Sequence, residues 1–371
     1  MSTLHVAVDA LVENARSIAE LVAPAKTAFV VKANAYGHGA VDVARVLEPF
    51  ASMFCVYDID EVLRLRAAGI DAPILLLGPL APSRFDDLVT SNGVVTLWNA
   101  GSYFRDFQRT LRRRARISAA HVKVDTGMSR LGVAPGDVPA LLATYLSARE
   151  IHVAGIYSHL AAADDLGSSF TLEQLARFEG AVDAARPVLD GHRARRPTRH
   201  IAASAGAVAW PQTRLDMVRI GIAVYGIWPS ADVKRRLSPR LSLRSALSFT
   251  ASLAQARAGH GLVPIGYANG VPRALAGRGH VVIHGARCPI LRVAMNAMTL
   301  DLRAAPLATV GTRVTLLGTD GRNSVSAEDW AAWANTVAYE IVARLPVSLS
   351  RQLERDRISI AVVRDEVASG M

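Results

Sequence analysis

Between residues 5 and 230 the chain alternates short apolar runs with segments whose apolar residues recur at helical spacing. The runs 27–32, 53–57, 74–77, 94–97, 121–124, 153–158, 200–202 and 217–220 are largely Val, Ile, Leu, Ala and Phe, as suits strands buried on both faces. Between them, 40–47, 59–68, 83–90, 99–114, 138–146 and 171–188 carry the period of amphipathic helices. About eight strand–helix repeats with no GxGxxG turn predict a (β/α)8 TIM-type barrel, not an open dinucleotide-binding sheet.

After Pro229 the pattern changes. The stretches 241–253, 262–265, 280–283, 290–293, 298–302 and 313–317 are short, β-prone and separated by Gly, Pro and polar turns. A helix is predicted near 327–343, followed by a charged tail. The expected organisation is an α/β barrel over 1–232, a linker at 233–239, and a smaller mostly-β domain with a terminal helix over 240–371. A chain of 371 residues is long for one ordinary core, which fits that division.

Composition narrows the function classes. Half the residues are apolar and 20% are charged, as in folded globular proteins. No apolar stretch approaches the roughly 18 residues of a membrane span, so no membrane partner is expected. The first residues, Met1-Ser2-Thr3-Leu4-His5-Val6, show no basic segment followed by an apolar one, so no signal peptide is expected and the cytoplasm is the expected location. Cys55 and Cys288 are few and far apart, which suits a reducing compartment and supplies no metal framework. The net charge of +10 comes from basic clusters at 105–116, 186–199 and 234–244. None is interleaved with stacking aromatics, so no nucleic-acid partner is expected.

Against that background one lysine stands out. Only four lysines occur among 42 basic residues, and Lys32 follows the β-branched run Val30-Val31 and precedes Gly37-His38-Gly39. A lysine at a buried strand end, aimed into a cleft, loses part of its preference for the ammonium form and becomes a usable amine nucleophile. The alternative is a lysine that ends a strand and reaches water. In a barrel, chemistry gathers at the C-terminal strand ends. Lys123 to Arg130, Ser158-His159, Ala203-Ser204 and Arg219-Ile220-Gly221-Ile222 all fall at such ends. Late barrel loops rich in Ser and Gly commonly hold phosphate through backbone N–H groups and a hydroxyl.

These motifs carry a resemblance. Val30-Val31-Lys32-Ala33-Asn34-Ala35-Tyr36-Gly37-His38-Gly39, Lys123-x-Asp125-Thr126-Gly127-Met128-x-Arg130-x-Gly132, Gly155-Ile156-Tyr157-Ser158-His159 and Met217-Val218-Arg219-x-Gly221-Ile222 are similar to the alanine racemase family of pyridoxal-phosphate enzymes. The likeness runs on through Pro264-Ile265-Gly266-Tyr267-Ala268 and Tyr339-Glu340-Ile341. It implies a racemase of a small amino acid, most simply alanine, acting as a head-to-tail homodimer and serving D-amino-acid and cell-wall precursor supply. It implies Lys32 as the cofactor-linked lysine and as the base on one face of the α-carbon. Tyr36, Ser204, Gly221 and Ile222 would hold the phosphate, His159 would pack on the pyridine ring, and Arg130 would lie near the ring hydroxyl and the substrate carboxylate. Lys123 matches a position that is often carbamylated, where it orients that arginine.

Arg219 would face the ring nitrogen. A guanidinium only donates hydrogen bonds, so the ring nitrogen would stay unprotonated and the ring a weak electron sink. That favours reprotonation in place over transamination. The alternative is an arginine paired with Asp216 at the barrel rim.

The pattern breaks on the other side of the site. Racemisation needs acid/base groups on both faces of the α-carbon. In the family the second is a tyrosine, followed by glycine, on a β-domain loop from the partner subunit. Between Leu253 and Tyr267 this chain has no tyrosine. His260-Gly261 is one replacement, since histidine is a competent base near neutrality; the other reading is a histidine in a tightened turn. Tyr267 matches a position near the mouth through which substrate passes and is expected, with Lys32 and His260, among the catalytic residues. The family's Met-Asp pair reads Met295-Asn296, where Met295 would still face the substrate carboxylate. Three readings follow: a racemase with an altered second base, a one-base enzyme on the same cofactor, and a non-catalytic cofactor-binding protein.

Overall fold

The computed structural model describes residues 2–355, so most of the expected charged tail lies outside the described residues. Strand β1 (Thr3–Ala7) comes first, and eight parallel strands follow. These are β2 (Lys26–Val30), β3 (Met53–Val56), β4 (Ile74–Leu76), β5 (Val95–Leu97), β6 (Ser118–Lys123), β7 (Ile151–Tyr157), β8 (Thr198–His200) and β9 (Met217–Ile220). Two four-stranded ladders, β4-β3-β2-β9 and β5-β6-β7-β8, are joined by the bridges Leu75–Val94 and Ala203–Arg219. The ring therefore closes into the expected barrel.

Period-two alternation fills it. Ala28, Val30, Met53, Cys55, Leu75, Val94 and Met217 form one buried cluster, while their neighbours Phe29, Phe54, Ile74 and Leu76 join the larger core with the surrounding helices. Each such buried Phe or Leu contributes roughly 1.5–3 kcal/mol.

The C-terminal part is one extended sheet. It contains β10 (Leu247–Ser252), β11 (Gln255–Arg257), β12 (His260–Val263), β13 (His280–Ile283), β14 (Ala286–Val293), β15 (Met298–Asp301), β16 (Arg313–Asp320), β17 (Asn323–Val325) and β18 (Ser350–Glu354). The order is β11-β12-β15-β14-β13-β16-β10-β1-β18, with β17 on β16. Among the described residues no helix is long and apolar enough to cross a membrane.

The structure departs from the sequence pattern in four places. β1 lies in this sheet, antiparallel to β10 and parallel to β18, so residues 3–7 pack with the C-terminal part although they precede the barrel. Its burial alternates, with Leu4 and Val6 fully buried, as suits a half-buried sheet strand. The expected linker at 233–239 is mostly the helix Ala231–Leu237, whose Val233 N–H donates to the Ser230 Oγ cap at 3.2 Å. The strand expected at 241–253 starts only at Leu247. The helix expected at 327–343 is two, Ala327–Ala334 and Ala338–Ala343, separated at Asn335 in a left-handed conformation (φ 55°).

Strands β11 and β12 are joined by Ala258 and Gly259 alone, with φ of 50° and 75°. Two positive φ values make a tight hairpin matched to strand twist.

Candidate active site

The C-terminal ends of the barrel strands surround a cavity of about 420 Å³. Lys32, Tyr36, Tyr57, Lys123, Arg130, His159, Ser204, Arg219, Gly221, Ile222 and Tyr339 are among the residues that line it. Residues distant in sequence thus converge where parallel strands end.

Lys32 enters through an unusual backbone. Ala33, Asn34, Ala35 and Tyr36 are all left-handed, with φ of 52°, 54°, 54° and 49°. Such residues cost roughly 1–2 kcal/mol each, so the turn must be held from outside. Glu61 Oε1 accepts from Ala33 N–H at 2.6 Å, and Asn34 Oδ1 accepts from Ala40 N–H at 3.0 Å. His38 Nδ1 lies 3.0 and 2.9 Å from the carbonyls of Ala35 and Tyr36, and donates to them. Burial pushes the Lys32 amine below its usual range; the nearby Arg130 charge adds to this, and the Glu61 carboxylate opposes it.

At the far end, Ser204 Oγ accepts from Gly221 N–H at 3.1 Å and Ala223 N–H at 3.3 Å. A Cβ on residue 221 would sit 2.9 Å from Tyr36 Oη, so glycine there is required for the phenol to approach. The Tyr339 ring lies 6.1 Å from that of Tyr36.

Arg219 is 2% exposed and has no carboxylate partner among the described residues. Its Nη2 donates to Ser158 O at 2.7 Å and Ile201 O at 3.1 Å and lies 3.3 Å from His159 Nδ1; its Nη1 lies 2.6 Å from His200 Nδ1. Asp216 does not pair with it. That carboxylate is taken by Arg199, with contacts of 3.0 and 2.9 Å, so the rim-pair reading of Arg219 fails. Burial pushes His159 down to about 3 and His121 to about 3, with the Arg219 charge adding in both cases. Burial also pushes Lys123 down to about 8, helped by Arg219 and Arg130.

The sequence models described as "Alanine racemase, N-terminal domain" and "Alanine racemase, C-terminal domain" match residues 6–229 and 246–353. The chain belongs to the alanine racemase family. It is 35% identical over 371 residues to an alanine racemase of Symbiobacterium thermophilum, covering 95% of each chain. Its fold is similar to an alanine racemase of Clostridium difficile 630 in complex with cycloserine (TM-score 0.88, 28% identity, 96% of each chain). It is also similar to an alanine racemase of Bacillus anthracis with bound L-Ala-P (TM-score 0.85, 29% identity, 96% of this chain and 95% of that one).

Alanine racemases are pyridoxal-phosphate-dependent isomerases, and this cavity fits such a group on its own terms. Its lining brings Lys32, Lys123, Arg130 and Arg219 together with Asp164 as the one carboxylate. That charge balance favours an anionic ligand. The Ser204 hydroxyl and the Tyr36 phenol meet beside Gly221, with the Tyr339 ring next to that of Tyr36, a set suited to phosphate.

Of the residues expected from sequence, Lys32, Tyr36, Arg130, His159, Ser204, Arg219, Gly221 and Ile222 line this one cavity. His260, Tyr267 and Met295 do not. His260 opens β12 on the surface, with Nδ1 3.0 Å from Ala258 O. Tyr267 and Met295, 45% and 55% exposed, lie together on a groove of about 1210 Å³ on the C-terminal part.

Sequence reasoning missed three groups. Tyr339 falls within the helix expected near 327–343, and it lines the cavity. Tyr57 ends a predicted barrel strand, a position that should have signalled chemistry. Glu61 reads as the N3 glutamate of an Asp58 capping box, which it is, but it also holds Ala33 across 28 positions of sequence.

Proposed function

We propose that the chain interconverts L- and D-alanine, with Lys32 as the cofactor-linked lysine and base. Pyridoxal phosphate, when bound, supplies an aldehyde that links to an amine and a ring that acidifies the substrate's α-C–H bond. Lys32 Nζ, whose pKa burial lowers, takes or returns the α-proton on its face. Tyr36, Ser204, Gly221, Ile222 and Tyr339 hold the phosphate, and His159 covers the ring. Arg130 and Met295 receive the substrate carboxylate, Met295 from a second subunit. The observation that carries this reading is Arg219. A buried guanidinium held by carbonyls and histidine nitrogens, with no carboxylate partner among the described residues, would present only donors to a ring nitrogen. That keeps the nitrogen unprotonated and steers the proton back to the carbon it left.

Borohydride reduction of the cofactor-loaded protein, followed by peptide mass spectrometry, tests the assignment. A pyridoxyl group fixed on Lys32 is expected, and an unmodified Lys32 sinks the reading.

We further infer a homodimer in the cytoplasm, supplying D-alanine to cell-wall precursors. The exposed Tyr267 and Met295 on one groove support a paired surface, and the unpaired buried thiols of Cys55 and Cys288 suit a reducing compartment. On this arrangement His260 and Tyr267 would serve as second base only from the partner subunit. Sedimentation showing a fully active monomer would count against it. A one-base enzyme on the same cofactor is the second reading. The two-residue hairpin at Ala258–Gly259, where a tyrosine-bearing loop is absent, favours it.

A further inference from the structure

We propose that Tyr57 is the second acid/base group of this site, working from the same subunit as Lys32. The inference rests on the reading of Lys32 as the cofactor-linked base and supplies the group missing from the opposite face.

All eight tyrosines of the chain lie in described segments, and most have another task. Tyr225 donates to Val30 O at 2.9 Å and Tyr145 to Asn99 O at 2.6 Å. Tyr157 lies 3.0 Å from Thr96 Oγ1 and is buried. Tyr103 packs between Phe85 and Trp98. Tyr36 and Tyr339 crowd the Gly221 end of the cavity, and Tyr267 stands outside it. Tyr57 remains. It lines the cavity, is 51% exposed, and its hydroxyl has no hydrogen-bond partner among the described residues.

Its placement is fixed rather than incidental. Strands β2 and β3 run parallel with Val30 opposite Cys55, so Lys32 and Tyr57 each follow two residues beyond that pair. Glu61 ties them together: Oε1 accepts from Ala33 N–H at 2.6 Å and Oε2 from Tyr57 N–H at 2.8 Å. Behind Tyr57, a Cβ at residue 78 would lie 2.2 Å from its carbonyl oxygen and 3.2 Å from its ring, so Gly78 lets the tyrosine seat there.

Two-sided proton transfer sets a distance for the pair. Lys32 Nζ lies 5.7 Å from the centre of the Tyr57 ring. Two groups acting on one carbon from opposite sides stand about 6–7 Å apart, twice a near-attack distance, and that is the separation the proposal requires between Lys32 Nζ and the hydroxyl carried beyond the ring centre. In one direction the Lys32 amine takes the α-proton and the Tyr57 hydroxyl delivers its own to the other face. Lys32 is left protonated and Tyr57 deprotonated, and the reverse reaction, or proton exchange with solvent, restores both. No electrons are gained or lost overall.

The test is α-deuterium incorporation from each alanine enantiomer, using the cofactor-loaded enzyme and Tyr57→Phe. The variant keeps the ring and removes only the hydroxyl. We expect racemisation to fall by about 100-fold or more, with exchange persisting from the enantiomer whose proton faces Lys32. Borohydride-fixed pyridoxyl on Lys32 in the variant shows that the site is assembled; its absence from the native enzyme as well would sink the functional reading itself. Three results overturn the Tyr57 assignment: normal racemisation in Tyr57→Phe, one-sided exchange by the native enzyme, or the one-sided loss appearing in His260→Phe or Tyr267→Phe instead. If Tyr57→Phe is normal while Tyr57→Ala accepts larger amino acids, the ring is only a wall that sets substrate size.

Discussion

The Arg219 guanidinium donates to His200 Nδ1 across 2.6 Å, deep within the barrel. Because arginine cannot accept, Nδ1 must be the bare nitrogen and Nε2 must carry the hydrogen. Nε2 then donates to His121 Nδ1 at 2.8 Å, which fixes the second tautomer as well. The His200 ring stacks on Tyr157 with centroids 4.8 Å apart and planes at 3°. The orientation of Arg219 toward the cavity therefore depends on two neutral histidines.

Removing the first of them should be felt at the cofactor. His200→Ala strips a buried donor of its acceptor, which costs about 1–3 kcal/mol. We expect a lower unfolding midpoint in urea together with weaker pyridoxal phosphate binding by fluorescence titration. His200→Asn, whose carbonyl oxygen can accept near the Nδ1 position, should recover part of both. Equal loss in the two variants would show that ring stacking, and not the acceptor, is what matters.

Glu61 offers a second test, because its effects on stability and on Lys32 can be read separately. Its carboxylate accepts from Ala33, Tyr57 and, at 3.4 Å, Asp58 backbone N–H groups. Glu61→Gln turns one acceptor into a donor facing donors, and should destabilise by about 1–3 kcal/mol. The Glu61 charge also raises the Lys32 pKa against the larger effect of burial. Without it the amine should become reactive at lower pH. Acylation of Lys32 in the apoprotein, followed across pH by mass spectrometry, should show a midpoint displaced downward in Glu61→Gln. An upward displacement would mean that the turn, not the charge, controls the amine.

Acid should unfold this protein through its histidines. Burial holds His38 at about 4, His121 and His159 at about 3, and His200 well below the ordinary value. These folded-state values lie beneath the roughly 6.5 of the unfolded chain, so the unfolded state binds more protons below that pH. The stability they provide is complete above about 6.5 and drains away as pH falls toward 4 and 3. Each contributes at most about 1.4 kcal/mol per pH unit. Urea unfolding between pH 7.5 and 5 should show this decline, and His38→Gln should flatten it by close to one proton. A flat native profile over that range would contradict the neutral, buried assignment.

The barrel was legible because its strands are continuous apolar runs with helical segments between them, from Phe29-Val30-Val31 to Val218. The cofactor half of the site was legible because strand ends concentrate chemistry: Lys32, His159 and Ser204 each follow or end such a run, and Arg219 is the penultimate residue of one. Other features are set by distant partners and left little local trace. The strand Thr3–Ala7 is too short to declare its sheet, and it finds its partners at Leu247–Ser252 and Ser350–Glu354. The helix Ala231–Leu237 reads as a linker in sequence because its charges outweigh a single buried Val233. His121 and His200 read as ordinary strand residues until Arg219 is seen between them and the cavity. The left-handed run Ala33–Tyr36 could not be expected from three non-glycine residues and a tyrosine; only the Glu61, Asn34 and His38 bonds explain why it persists.

Lys123 yields the last prediction. Its Nζ lies 5.8 Å from the centre of the Tyr157 ring, in the cavity that Arg130 also lines. Burial first, and then the charges of Arg219 and Arg130, bring its pKa to about 8, so roughly a tenth of the amine is uncharged at pH 7. An uncharged amine adds carbon dioxide to give a carbamate and a proton. The product is an anion placed where two arginines and Lys32 outnumber the single carboxylate of Asp164, so the same positive charges that lower the amine pKa stabilise the carbamate. Since a proton is released, the modification should increase with pH between 7 and 8.5 and with added bicarbonate. Nuclear magnetic resonance with ¹³C-bicarbonate should show one carbamate signal that Lys123→Ala removes, together with a higher KM for alanine in that variant if the carbamate holds Arg130 in place. A signal unchanged in Lys123→Ala would assign the carbamate elsewhere. No signal at any pH would mean that Lys123 works as an amine.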